Sequence, residues 1–98
     1  MSKFNVCVSY TAKNAGDREL FVAELKKSGA LDDILAEDGC LRYEYFYSDE
    51  NPKSLLLMET WETPEHQKAH MKTPHMKTVF EIKDKYIESA TVSAFEVK

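Results

Sequence analysis

Trp61-Glu-Thr-Pro-Glu-His-Gln-Lys-Ala-His-Met-Lys-Thr-Pro-His-Met76 contains the only tryptophan, all three histidines and two of the three prolines of this chain. The dipeptide Thr-Pro occurs in it twice, beginning at Thr63 and at Thr73. A threonine at a helix N-cap accepts a hydrogen bond from a free backbone N–H, and a proline in the next position sacrifices no hydrogen bond. The stretch therefore predicts two short helices, over about 64–72 and about 74–86, with a change of chain direction at Thr73.

The segments around these helices show the alternation of apolar and polar residues that is typical of β-strands. Four strands are predicted, at residues 3–11, 40–48, 54–62 and 88–97. A helical pattern between the first two strands begins near Asp17, is open to interruption at Ser28-Gly29, and ends at Asp38-Gly39. The predicted order is β-α-β-β-α-β, which indicates a single α+β domain over residues 1–98 with a ferredoxin-like antiparallel sheet.

Both faces of the middle strands are apolar, and this predicts a homodimer. Leu55 and Leu57 point to one face of the strand 54–62, while Leu56 and Met58 point to the other. An antiparallel sheet with one face in water would instead alternate cleanly between apolar and polar residues. Because both helices cover the same face, a second copy related by two-fold symmetry is the covering left for the other face.

Composition excludes several classes of protein. A net charge of −4 argues against a nucleic-acid partner, because phosphate binding needs a basic surface. The longest apolar run, Leu55 to Met58, is too short to cross a membrane. The N-terminal residues 1–5 lack an apolar signal region, and the two cysteines are expected to be free thiols, so we expect a cytoplasmic protein.

The three histidines are the first candidates for chemistry. His66 and His70 are four residues apart on one helical face, which is also the spacing of a helical metal site. The HExxH pattern is absent, and a third ligand would have to be Glu62, Glu65 or a residue from elsewhere, so no metal is expected. His66 falls near an N-cap, where a local backbone role suffices. His70 and His75 are expected to converge on one ligand.

Glu59 lies on an apolar strand face, together with Leu55, Leu57 and Trp61. A carboxylate in such a place must find a partner or have its pKa raised. Arg42, on the neighbouring hairpin strand, is the expected partner, and their ion pair would either brace the hairpin or serve a site. The aromatic residues of this region act either as core filler or as the walls of a pocket; they are Trp61, Tyr43 and Tyr45.

Three motifs, taken together, resemble the antibiotic biosynthesis monooxygenase family, and most closely its small quinol-monooxygenase-like members. They are Gly39-Cys-Leu-Arg-Tyr-Glu-Tyr, Glu59-Thr-Trp-Glu and Ala69-His-Met-Lys-Thr-Pro-His-Met-Lys77. The resemblance implies a dimeric α+β barrel with one pocket in each protomer. It also implies oxygenation of a quinol or hydroxylated aromatic by molecular oxygen, with no flavin, haem or metal. The three glycines of the chain form no glycine-rich nucleotide-binding loop, which agrees with a reaction that needs no flavin.

The resemblance suggests roles for the candidate residues. His70, or else His75, is expected to remove a phenolic proton, since histidine titrates close to neutral pH. Arg42, or a backbone N–H near His75, would hold the resulting oxyanion. Glu59 would orient Arg42 or a histidine, and the remaining substrate-binding residues would be Trp61, Tyr43, Tyr45 and His66.

Two other functions stay open at this stage. A relative that isomerises a phosphorylated quorum-sensing sugar carries a similar His-x3-Thr-Pro-His segment. A non-enzymatic dimeric ligand-binding or stress protein can also be built on the same scaffold, because fold does not settle function. The pocket should distinguish them: it would be flat and apolar for a quinol, basic for a phosphosugar, and filled by side chains in a non-enzyme.

Overall fold

Four strands and four helices follow one another in the computed structural model, which describes residues 3–97. They are β1 (Lys3–Ala12), α1 (Asp17–Ser28), α2 (Ala30–Leu35), β2 (Cys40–Tyr47), β3 (Ser54–Trp61), α3 (Pro64–Met71), α4 (His75–Tyr86) and β4 (Ile87–Val97). Met1, Ser2 and Lys98 lie outside the described residues, so the interpretation of the first residues as free of a signal region is not addressed. None of the helices within 3–97 is long and apolar enough to cross a membrane.

The strands form an antiparallel sheet in the order β2-β3-β1-β4. This order confirms the predicted ferredoxin-like α+β fold. Every second residue from Val6 to Ala12 in β1 and from Leu55 to Trp61 in β3 is buried on the face that the helices cover. The core on this face joins strand residues to the buried helix residues Phe21, Val22, Leu25, Ala30, Ile34, Met76, Val79 and Ile82.

The two Thr-Pro pairs behave differently. Thr63 is the N-cap of α3, where its side chain accepts a hydrogen bond from the His66 backbone N–H, and Pro64 begins the helix as predicted. Thr73 caps no helix start. Its hydroxyl instead donates to the His70 carbonyl at 2.8 Å, which satisfies a free carbonyl at the end of α3. The second Thr-Pro pair therefore ends one helix, and α4 begins at His75.

The predicted helical segment is interrupted at Gly29, as expected, but it ends earlier than predicted. Gly29 has φ +84° and separates α1 from α2. Helix α2 stops at Leu35, because tight-turn hydrogen bonds from the Glu37 N–H to the Ile34 carbonyl and from the Cys40 N–H to the Glu37 carbonyl replace the helical pattern. The resulting turn, residues 36–39, carries the side chain of Glu37 towards α3.

A β-bulge at the start of β2 places Cys40 on a different face of the strand from the predicted one. The pairing register shifts between Cys40 and Arg42, so Cys40 stands opposite Trp61 and packs against the core. The strict alternation of the sequence had placed Cys40 on the same face as Arg42. The extra residue of the bulge, Leu41, is exposed instead.

The face of the sheet opposite the helices is apolar at its centre. Cys7, Phe46, Leu56 and Met58 are half-buried there, and Phe95 is exposed on the adjacent strand. The side chains of Asn5 and Thr60 join across this face, since the threonine hydroxyl donates to the asparagine oxygen at 2.9 Å. The two apolar sheet faces expected from the sequence are thus present in the fold.

Replacing Gly39 with alanine is expected to destabilise the protein by about 3 kcal/mol, because two costs combine. Gly39 has φ +80°, which is strained for any residue with a Cβ atom, and an added Cβ would overlap the ring of His66. Gly16→Ala is the matched control, since Gly16 has φ +94° and nothing within 4 Å of the added Cβ. Urea unfolding should show a loss of about 1 kcal/mol for the control. Equal losses in both variants would contradict a steric role for His66.

Candidate active site

A cavity of about 140 Å³ lies between the sheet and the helices α3 and α4. Most of its walls are apolar side chains, namely Val6, Val8, Leu57, Met71, Met76, Val79, Phe80, Ala90 and Val92. The polar groups that reach it are Tyr10, Tyr43, Glu59, Gln67, His70 and Lys83. A small, largely apolar space with one imidazole and one carboxyl group is a plausible environment for proton transfer.

His70 is the most completely buried polar residue that lines the cavity, with 1% of its surface exposed. Its Nδ1 atom lies 2.9 Å and 3.1 Å from the two carboxylate oxygens of Glu37. The ring also packs against Trp61, with 4.7 Å between ring centroids, and against Tyr43, at 5.7 Å. These contacts fix the orientation of the ring and leave Nε2 as the nitrogen available to a bound molecule.

Glu37 links the two histidines that were expected to converge. Its Oε2 atom lies 2.9 Å from His70 Nδ1 and 2.6 Å from His75 Nε2. An ionised carboxylate only accepts hydrogen bonds, so both of these nitrogens donate. In its neutral form His70 therefore carries its proton on Nδ1, and its Nε2 has a free lone pair. His75 does not line the cavity, and it contacts Glu37.

Glu59 is the second titratable group that lines the cavity. It is only 5% exposed, and its Oε1 accepts a hydrogen bond from Trp61 Nε1 at 3.0 Å. Burial raises the pKa of Glu59 to about 7, and the charge on Glu37 adds to this shift, while the Trp61 hydrogen bond opposes it. A carboxyl group with this pKa can both give and take a proton near neutral pH.

Arg42 does not pair with Glu59, so the predicted ion pair is wrong. In the sheet register Glu59 stands opposite Tyr43, and Arg42 stands opposite Thr60. Neighbouring residues of a strand point to opposite faces, so Arg42 lies on the face away from the helices. There it pairs with Glu44 at 2.7 Å, and both side chains are substantially exposed. A catalytic role for Arg42 would have to arise outside this cavity.

The other predicted binding residues lie at different distances from the cavity. Tyr43 lines it, as expected for a wall residue. Trp61 is fully buried behind His70 and Glu59, where it positions both. Tyr45 packs against Phe21, with 5.7 Å between ring centroids, and lies in a separate groove.

His66 has the local role that the sequence suggested. Its Nδ1 lies 2.6 Å from the Thr63 hydroxyl, and its Nε2 lies 3.4 Å from Asp38 Oδ2. Its ring also lies against Gly39. His66 thus joins the start of α3 to the turn 36–39 and does not line the cavity, so a contact with substrate stays a prediction.

A larger groove of about 540 Å³ runs along the exposed edge of β2. It is lined by Leu31, Leu35, Tyr45 and Tyr47 and by the exposed charged residues Lys26, Asp32 and Glu44. No histidine reaches it. The smaller cavity therefore remains the candidate for chemistry in the part of the chain that the structure describes.

Glu37 is the residue that the sequence analysis missed. It lies 33 residues from His70 along the chain, and nothing in its local pattern indicates that it approaches a histidine. Gln67 and Met71 were also missed, but a signal for them was present. Gln67 is three residues before His70 and four residues before Met71, so a helix that begins at Pro64 places Gln67 beside each of them.

Replacing Glu59 by glutamine is expected to stabilise the protein above neutral pH. The pKa of a glutamate in an unfolded chain is about 4.3, so the folded protein binds more protons than the unfolded one between about pH 4.3 and about pH 7. Stability therefore falls as the pH rises through this window. Glutamine carries no charge and avoids the loss, so at pH 8 the variant should gain up to about 4 kcal/mol.

Thermal unfolding of Glu59→Gln and wild type at pH 4 and pH 8 measures this effect. The difference should be close to zero at pH 4 and several degrees or more at pH 8. Glu81→Gln is the matched control, because Glu81 is exposed on α4 and its replacement should show no such pH dependence. A constant difference between Glu59→Gln and wild type at both pH values would contradict a raised pKa.

Comparisons with known proteins agree with this fold. The family model described as antibiotic biosynthesis monooxygenase matches residues 6–82. A protein of Escherichia coli (strain K12) named "Probable quinol monooxygenase YgiN" is 34% identical over 56 residues, which are 49% of this chain and 54% of that protein. The chain thus spans about half the length of the curated relatives it matches.

Solved structures are similar over nearly the whole chain. A conserved protein from Methanosarcina mazei Go1 has a TM-score of 0.86 at 22% identity, with 100% of this chain and 95% of that chain covered. A conserved protein of unknown function from Bacteroides thetaiotaomicron, described as a possible oxidoreductase, has a TM-score of 0.83 at 27% identity, with 98% of each chain covered.

Proposed function

Because this chain belongs to the antibiotic biosynthesis monooxygenase family, we propose that it oxidises a quinol or hydroxylated aromatic with molecular oxygen and without flavin, haem or metal. The observation that carries the proposal is the mostly apolar cavity in which His70 and Glu59 are the buried proton-transfer groups. The name of the E. coli relative, "Probable quinol monooxygenase YgiN", supports the substrate class.

His70 is the base in this proposal. Its Nδ1–H is held by Glu37, so its Nε2 accepts the phenolic proton of a substrate in the cavity. The charge of the imidazolium that forms is stabilised by the same Glu37 carboxylate, as in other carboxylate–histidine pairs. His70 is therefore already oriented, before the substrate binds, to take a proton at Nε2.

The deprotonated substrate itself supplies the electrons. An electron-rich phenolate passes an electron to oxygen, and the two radicals then combine at a ring carbon. In the net reaction a hydroxylated aromatic becomes a quinone: one oxygen atom enters the ring as a carbonyl, the other leaves as water, and the substrate provides all the electrons. The loss of water requires a proton donor, and the carboxyl group of Glu59, with a pKa of about 7, is suited to that step.

The lining of the cavity favours this substrate over a phosphosugar. Among the described residues that line the cavity, Lys83 is the only basic side chain apart from His70, and the carboxyl of Glu59 lies in the same cavity. A phosphate group needs several donors or positive charges and is repelled by a carboxylate. The unfilled volume also supports a ligand-binding cavity over a purely structural core.

We include a homodimer in the proposal, with the apolar sheet faces packed against each other. The half-buried residues Cys7, Phe46, Leu56 and Met58 would form the centre of the interface. Obligate interfaces of this kind bury about 2,000 Å² or more in total. Sedimentation at micromolar concentration is expected to show twice the mass of the 11.3 kDa chain, and a species of 11.3 kDa alone would contradict the dimer.

Oxygen uptake tests the proposed reaction. Purified protein is assayed with dihydroxynaphthalenes and menadiol, and the rate of autoxidation without protein is subtracted. We expect protein-dependent uptake with at least one substrate and formation of a quinone that contains one more oxygen atom than the substrate. Turnover of a phosphorylated linear sugar, without uptake across the panel, would instead support an isomerase. The absence of both reactions, with binding of aromatics alone, would support a non-enzymatic ligand-binding protein.

A further inference from the structure

Three side chains with metal-binding atoms meet beside the cavity. Glu37 comes from the turn before β2, His70 from the end of α3, and His75 from the start of α4. One ligand atom from each lies within 4.8 Å of the other two. The three side chains are 12%, 1% and 18% exposed, so the cluster is largely shielded from solvent.

We propose that Glu37, His70 and His75 bind a divalent transition-metal ion such as Zn²⁺, and that the ion inhibits the reaction in the cavity. Two imidazole nitrogens and one carboxylate oxygen, with a fourth position left for water, are a donor set that zinc uses in proteins. Two imidazoles also favour zinc, nickel or copper over magnesium and calcium, which prefer oxygen ligands alone.

The geometry requires only a small adjustment. In a tetrahedral zinc site with bonds of about 2.0–2.1 Å, neighbouring ligand atoms are about 3.3 Å apart. Here the Glu37 oxygen lies 2.9 Å from His70 Nδ1 and 2.6 Å from His75 Nε2. The Glu37 oxygen must therefore move away from each nitrogen by less than about 1 Å, and the two nitrogens, which lie within 4.8 Å of each other, must settle at a similar spacing. Glu37 belongs to a turn and His75 to a helix start, so side-chain rotations can provide this movement.

Metal binding would change which nitrogen of His70 carries the proton. Without metal, Nδ1 donates to Glu37 and Nε2 is free. A metal ion binds a nitrogen through its lone pair, so an ion on Nδ1 requires the proton to move to Nε2. His70 then presents an N–H to the cavity and no longer accepts a proton from a substrate. This second half of the inference rests on the proposed function, whereas metal binding itself does not.

Zinc titration of the purified protein tests the site. Isothermal titration should give one saturable site per chain in wild type. Loss of a direct ligand should weaken binding by more than about 100-fold in Glu37→Gln and in His75→Gln, since even residues that only support a ligand contribute 10–100-fold. His66→Gln is the matched control and should bind zinc as wild type does, because the His66 ring contacts Thr63 and Asp38.

Two further measurements make the test independent of variants that fold poorly. Binding of Co²⁺ to wild type should produce the visible absorption of a tetrahedral site with nitrogen and oxygen ligands. Nitrogen NMR of histidine-labelled wild type should show His70 protonated on Nδ1 without zinc and on Nε2 with zinc. No saturable binding, or equal affinity in Glu37→Gln and wild type, would overturn the metal site.

Inhibition is tested separately from binding. If the oxygen-uptake reaction occurs, zinc should inhibit it at concentrations that match the dissociation constant, and EDTA should restore it. Stoichiometric binding without inhibition, or without the proton shift in the NMR spectrum, would overturn the tautomer mechanism. If no oxygen uptake occurs in wild type, the proposed function fails, while the titration and the NMR experiment still decide whether zinc binds and moves the proton.

Discussion

Oxygen uptake with a quinol substrate is expected to fall by about 10²–10⁴-fold when His70 is replaced by alanine, which is the usual contribution of a positioned base. The variant lacks the only imidazole that lines the cavity. Glu37 cannot replace it directly, because it is already engaged by His75 and does not line the cavity. The rate should be measured at saturating substrate, so that the loss is assigned to the chemical step.

Two controls separate catalysis from folding. Because His70 is 1% exposed, its truncation leaves a cavity, so circular dichroism must show that the variant is folded at the assay temperature. His66→Ala removes a histidine that does not line the cavity and should keep most of the activity. Full activity in folded His70→Ala, or a loss found only in His66→Ala, would show that His70 is not the base.

Glu37→Gln extends the same prediction. Its amide can present an N–H to His70 Nδ1, which favours the wrong tautomer and removes the charge that stabilises the imidazolium. We therefore expect a smaller loss than in His70→Ala, and the maximal rate should fall more than the apparent affinity for substrate. Unchanged kinetics in this variant would show that the contact with Glu37 only supports the fold.

Replacing Trp61 by alanine is expected to lower the free energy of unfolding by about 3–5 kcal/mol. Trp61 is fully buried and packs under the His70 ring. Domains of this size are typically stable by about 5–15 kcal/mol, so the variant should lose a large share of its stability and unfold at a clearly lower urea concentration. Urea unfolding should be followed by circular dichroism, because the variant lacks the only tryptophan of the chain.

Trp61→Phe separates packing from hydrogen bonding. It keeps most of the ring volume but removes the N–H that donates to Glu59 Oε1. It should be less destabilised than Trp61→Ala, and the pKa of Glu59 should rise further, because the Trp61 hydrogen bond lowers it. Phe80→Ala is the control for an exposed aromatic, since Phe80 is 41% exposed. An equal loss in Trp61→Ala and Phe80→Ala would contradict the role of Trp61 in the core.

Much of the fold follows from local patterns. Alternating residues such as Val6 and Val8 bury one face of a strand whatever its partners are, and Thr63-Pro64 begins a helix through its own backbone geometry. The face that contains Glu59 and Trp61 could be predicted in the same way. The bulge at Cys40 could not, because it depends on how β2 pairs with β3.

For the candidate site, local patterns were enough to nominate His70, His75, the acid Glu59 on an apolar strand face and the wall residue Tyr43 as site residues. Their types and spacing suffice for this, because an ionisable group on an apolar face needs a function or a partner. The partners of these residues follow from contacts between segments that are distant in the chain. The tertiary structure placed Glu37 between His70 and His75 and Arg42 on the opposite face of the sheet, because contacts between distant segments depend on strand register and helix packing, which no local pattern encodes.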